Sequence, residues 1–158
     1  MVDKTFVIEA KVMVNERGGF VKGYPNYKQI DGDATAFDLV KMGLASFESE
    51  GYFKYLSELG GKEMSLRVEQ DGVDFRVNCQ VDLATEARAK SVRSAVSLAV
   101  DIAKSSRRNS TLSSREQNEL LMMNNVKLSS DKSSLLINFA LPKAEFWRIM
   151  DEAVSSLY

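Results

Sequence analysis

The chain predicts an α+β domain: a mainly antiparallel sheet of five to six strands with helices largely on one face, built from hairpin-helix (ββα) units. Three observations predict it. Over residues 64–81 apolar and polar residues alternate with a period of two, and Asp71-Gly72 interrupts the run. Beyond it the period lengthens to that of a helix, with Val92, Ala95, Val96, Ala99, Ile102 and Ala103 on one side. The same succession returns over 126–157, so 64–104 and 126–157 repeat in pattern though not in residue identity. Outer strand residues such as Arg67, Glu69, Arg76 and Asn78 require a solvated face, which antiparallel sheets permit.

Taken in order, Thr5 to Val14 reads as a strand with Phe6, Ile8, Ala10, Val12 and Val14 facing inward. Asn15 to Gly19 is a turn, Phe20-Val21-Lys22 a short strand pairing back, and Gly23 to Asp33 an irregular connection. A helix starts near Thr35, with Thr35 and Asp38 at capping-box spacing and Asp33 as the alternative cap. Its core stripe is Phe37, Val40, Leu44 and Phe47. A second helical piece carries Tyr52, Phe53, Leu56 and Leu59, and Gly60-Gly61 stops it.

In the hairpin that follows, Val73, Phe75, Val77, Cys79 and Val81 form the inward register, and Asp71-Gly72 suits a type I′ turn. Asp82 caps the next helix, which Leu98 and Val100 mark as the most buried. A polar loop over 105–111 leads to a shorter helix opened by the Ser113/Glu116 capping box and ending near Met123. Val126 to Leu128 and Leu135 to Leu141 make a second hairpin with its turn over 129–134. Pro142 opens the last helix, whose stripe is Phe146, Ile149, Met150, Ala153, Val154 and Leu157.

Composition bounds the function. The chain has 158 residues, 44% hydrophobic and 27% charged, enough for one domain spanning 1–158 with its own core. A net charge of -1 gives no global pull towards nucleic acid or anionic membrane. No apolar run reaches the roughly 18 to 20 residues of a membrane span. If Met1 is the natural start the expectation is a cytoplasmic protein; a removed leader would allow an extracytoplasmic one. The chain contains no histidine, which excludes Ser-His-Asp and Cys-His catalysis and His-ligated zinc. Cys79 is the only cysteine, so no intrachain disulfide forms, and its inward register marks a small buried hydrophobe.

Several residues stand as candidates for binding. Lys22, Tyr24 and Tyr27 lie in a glycine- and aromatic-rich stretch over 17–28, suited to peptide or single-stranded nucleic acid, although its plainer reading is a connection covering the core edge. From Asp82 to Arg115 the chain carries seven basic residues, among them Arg88, Arg93, Arg107 and Arg108, against three acidic ones. That polarity suits a phosphate backbone or an acidic partner, although its plainer reading is a solvated helix face plus a soluble loop. Arg88 falls on the apolar stripe, where a guanidinium needs a carboxylate, a ligand or a path to water. Trp147 falls at the edge of the last helix's stripe and could anchor a partner or second subunit.

Asp31, Asp33 and Asp38 suggest a cation, but an EF-hand opening at Asp31 requires glycine and glutamate where Ala36 and Met42 stand. Arg107 to Thr111 also holds a basophilic phosphorylation pattern and an Asn109-Ser110-Thr111 sequon. No catalytic set, metal site or cofactor motif emerges. The expectation is a non-enzymatic interaction or structural domain with a protein partner or a second copy. A polyanion-binding module and a carboxylate- or lysine-based enzyme or small-ligand binder stand as alternatives.

Overall fold

The computed structural model describes residues 4–108 and 111–155. Strands β1 (Phe6–Met13) and β2 (Asn26–Asp31) precede helices α1 (Ala34–Ser49) and α2 (Tyr52–Glu58). Then come β3 (Glu63–Gln70), β4 (Asp74–Asp82), α3 (Glu86–Arg108) and α4 (Ser114–Asn124). The hairpin β5 (Val126–Asp131) and β6 (Ser134–Pro142) leads into α5 (Lys143–Ser155). All six strands form one antiparallel sheet in the order β2-β1-β3-β4-β6-β5. The α+β class and the antiparallel sheet are those read from the alternation.

Register explains where the core sits. Ala10 pairs with Leu66, Leu66 with Cys79 and Cys79 with Ile137, so the apolar residues of four strands stand in rows on one side. Two clusters use that side. One joins Ala10, Val12, Met64, Val81 and Leu135 to Leu44 of α1, Phe53 of α2 and Ala89 and Val92 of α3. The other joins Phe6, Ile8, Val68 and Phe75 to Ala36 of α1 and Trp147 of α5.

The structure corrects the sequence reading at several points, each with a physical cause. Phe20 makes only an isolated bridge to Val14, and the second strand is β2, in the stretch read as irregular. β2 is an edge strand exposed along nearly its whole length, so it lacks the apolar alternation that identifies a strand. Asp33, not Thr35, caps α1, accepting the Thr35 amide at 2.6 Å. Asp82 caps nothing: it ends β4 and accepts from Gln80 and Ser134, while Thr85 receives the Arg88 amide at the start of α3. Lys132-Ser133 is the whole of the second hairpin's turn, tighter than the span read for it.

Helix α3 is not the most buried helix. Leu98 and Ile102 are 61% and 60% exposed, and only Ala89 and Val92 are fully covered. Its 23 residues run about 34 Å at helical rise. The six residues of β5 beneath it extend only about 20 Å. Phe47 of α1 and Val154 of α5, both read as core, are likewise exposed. Leu157 lies outside the described residues, as do Asn109 and Ser110 of the sequon. The Ser113/Glu116 capping box is present as read, and Gly60 takes the positive φ that ends α2.

The first hairpin does not use a type I′ turn, because neither Asp71 nor Gly72 has positive φ. Instead the Asp71 carboxylate accepts the amides of Val73 and Asp74 at 2.7 and 2.8 Å, and Val73 is 72% exposed outside the strand. Those two bonds, with Arg76 beside them, hold the Asp71 carboxyl down at about 2. A lowered carboxyl pKa adds stability that is complete above the ordinary value and is lost as pH falls through the folded one. Asp71→Asn is therefore expected to lose less melting temperature than the parent chain between about pH 5 and pH 2. Parallel melting curves across that window check it; equal losses in the two proteins would contradict it.

Candidate functional site

The sheet's other register is mostly polar, and one polar row of it crosses all six strands. Glu9 pairs with Lys28 and with Arg67, Arg67 with Asn78, Asn78 with Asn138, and Asn138 with Lys127. One row thus reads Lys28, Glu9, Arg67, Asn78, Asn138, Lys127 from edge to edge. A second row, Asn26, Lys11, Ser65, Gln80, Leu136 and Ser129, lies beside it. A shallow depression of about 550 Å³ follows the two rows from β2 to β6.

The charges here divide into fixed and free. Arg67 donates to Glu9 at 2.7 Å and to Glu69 at 3.1 Å, and these bonds raise its guanidinium pKa. Arg76 is likewise held by Asp71 at 2.9 Å, Asp74 at 3.1 Å and Glu69 at 3.5 Å. Among the described residues Lys11, Lys28 and Lys127 have no ion-pair partner. The depression therefore has an amide and guanidinium floor held in place by the sheet, with the unpaired Lys11 and Lys28 towards its β2 end. It can hydrogen-bond a polar surface and attract negative charge, and it contains no aromatic ring for stacking.

The residues singled out from the sequence are not brought together. Tyr27 turns to the core side, where its ring meets Phe37 edge-on at 5.4 Å and burial raises its pKa. Lys22 is exposed and Tyr24 half-buried in the β1–β2 connection. Arg88 donates to the Leu59 carbonyl at 3.1 Å, closing the end of α2. Arg107 donates to the Ala103 carbonyl and to Glu119 at 2.6 Å, fastening α4 to α3. Arg93 and Arg108 are exposed. Trp147 is 6% exposed and donates to Gln70 at 2.7 Å, so nearly all of its ring is spent on the core.

Burial pushes the Cys79 thiol up to about 12, which leaves no thiolate for nucleophilic chemistry at neutral pH. Among the described residues no group of three or more Cys, Asp or Glu is placed to hold a metal ion. No helix among them is long and apolar enough to cross a membrane.

Reading the strands one at a time missed Lys11, Lys127, Asn138 and Gln80, and placed Lys28 only in the glycine- and aromatic-rich stretch over 17–28. The available signal was their outward parity. Their assembly into rows depends on strand order and register, which a single sequence does not display. No protein-family model, curated protein or solved structure matches this chain.

Proposed function

We propose that this is a non-enzymatic interaction domain that receives a polar, acid-bearing partner on the uncovered face of its sheet. The observation that carries the reading is the cross-sheet row from Lys28 to Asn138, whose side chains line one continuous depression together with Lys11. Sheets of this kind offer a rigid, preorganised surface, so little ordering cost opposes binding. The missing histidine and the buried thiol favour recognition over chemistry.

Photo-crosslinking tests the reading even while the partner is unidentified. A benzophenone amino acid at Ser65 or Gln80, on the open face, is expected to capture a partner in cells of the source organism. The same probe at Ser94, on the outer side of α3, is expected to capture none. Capture only from Ser94 would move the interface to the helices, and capture from neither would end the reading.

Polyanion binding is a second reading, favoured by the exposed α3 cations Arg93 and Arg108, which have no ion-pair partner among the described residues. Binding of a labelled single-stranded oligonucleotide that weakens steeply with salt and with Arg93→Glu supports it. No anisotropy change at low salt removes it.

A further inference from the structure

The sheet ends in two unlike edges. β2 pairs with β1 through a register shift between Val7 and Ile8, follows Pro25, and has its Gln29 amide folded back to the Gly32 carbonyl at 2.7 Å. Such features blunt an edge against further pairing. β5 has none of them. Its six residues pair with β6 without a break, it contains no proline, and alternate backbone amides and carbonyls face outward.

We propose that two copies of this chain join antiparallel along β5, with Ser129 facing its own counterpart across the dyad. In that register Lys127 lies opposite the partner's Asp131, and Leu128 opposite the partner's Ser130. The argument rests on charge complementarity. Lys127 and Asp131 are exposed, share the open face, and flank Ser129 symmetrically. Neither has an ion-pair partner among the described residues. A dyad through Ser129 sets each against its opposite charge, twice. A dyad through Leu128 would instead spend Lys127 on the partner's Ser129 and leave Asp131 beyond the paired strand.

Exposed charge pairs contribute little each, so they select the register while backbone hydrogen bonds supply the affinity. The half-buried side chains of Val126 and Leu128, on the core side of β5, gain cover from the second copy. The joined sheets would have twelve strands, and the polar row through Lys127 would continue across the dyad. This pairing goes beyond the proposed function and does not depend on what the open face binds.

Sedimentation equilibrium and disulfide trapping test it on the full chain. The parent protein is expected to show a monomer–dimer equilibrium. Lys127→Glu and Asp131→Lys each place like charges opposite one another twice, and each is expected to weaken the dimer by about tenfold or more. The double variant restores both pairs with reversed sign and is expected to recover the parent constant to within about threefold.

Opposed residues in an antiparallel pair have Cα atoms about 4.5–5.5 Å apart, within the range a disulfide spans. Ser129→Cys is therefore expected to cross-link to its own copy under mild oxidation, and Lys127→Cys is not. Circular dichroism confirms folding of each variant, all at exposed positions. A protein that stays monomeric to about 0.5 mM overturns the proposal. So does a dimer that ignores both charge reversals, or one in which Cys at 127 cross-links and Cys at 129 does not.

Discussion

Trp147→Ala is expected to destabilise the fold by about 3–5 kcal/mol, the range for deleting a buried aromatic side chain. The ring sits where helix α5 meets the ends of three strands. It packs in the cluster with Phe6, Val68 and Phe75, while its neighbour Phe146 stacks on Phe75 at 3.6 Å. Its indole donates to the Gln70 side-chain oxygen at 2.7 Å, and Gln70 in turn donates to the Lys4 carbonyl. Truncation therefore opens a cavity and removes the hydrogen bond that ties α5 to the end of β3.

Trp147→Phe separates the two contributions, since it keeps most of the apolar volume and deletes only the donor. Its cost is expected near 1–2 kcal/mol, roughly that of a lost buried hydrogen bond plus a small void. Urea unfolding followed by far-ultraviolet circular dichroism measures both, because each variant removes the only tryptophan. An alanine cost below about 1 kcal/mol would contradict the burial of this ring.

The behaviour of Trp147 also shows what the sequence did and did not disclose. The helical stripe of α5 was legible, and its residues Phe146, Ile149 and Met150 do face the sheet or its margin. The centre of the stripe was misplaced by one residue, because helical periodicity does not reveal that Gln70, at the end of β3, offers an acceptor to an indole. The strands β3, β4 and β6 were legible for a simpler reason: they lie inside the sheet with one wet side, and so alternate cleanly. β2 was not, because an exposed edge strand is specified by its neighbour's backbone rather than by its own side chains. The exposed outer half of α3 was missed because its pattern is amphipathic to the end, while the sheet beneath stops short. The candidate site was least legible of all. Each polar residue of the open face looks like ordinary solvent-facing alternation until strand order aligns six of them in one row.

The glycine-rich connection between β1 and β2 invites a ligand-binding interpretation, and Gly18→Ala distinguishes that from a packing role. Gly18 has φ +79°, and a Cβ there would lie 2.5 Å from both the Cα and the amide nitrogen of Lys54 in α2. The surrounding loop is fastened to the same helices. Ser57 donates to the Asn15 carbonyl at 3.0 Å, and the Phe20 amide donates to Glu48 at 3.2 Å. The methyl group would meet main chain that cannot step aside, on a backbone conformation already unfavourable to it, so the expected loss is about 2–4 kcal/mol. Gly23 is the control. It has φ +88°, but a Cβ added there would meet nothing within 4 Å, so Gly23→Ala is expected to cost only about 1 kcal/mol of backbone strain. Urea denaturation of the two variants gives the difference directly. A large gap assigns Gly18 to the seam between this loop and α2, and a free-standing loop poised over a ligand would instead lose about the same small amount at both positions.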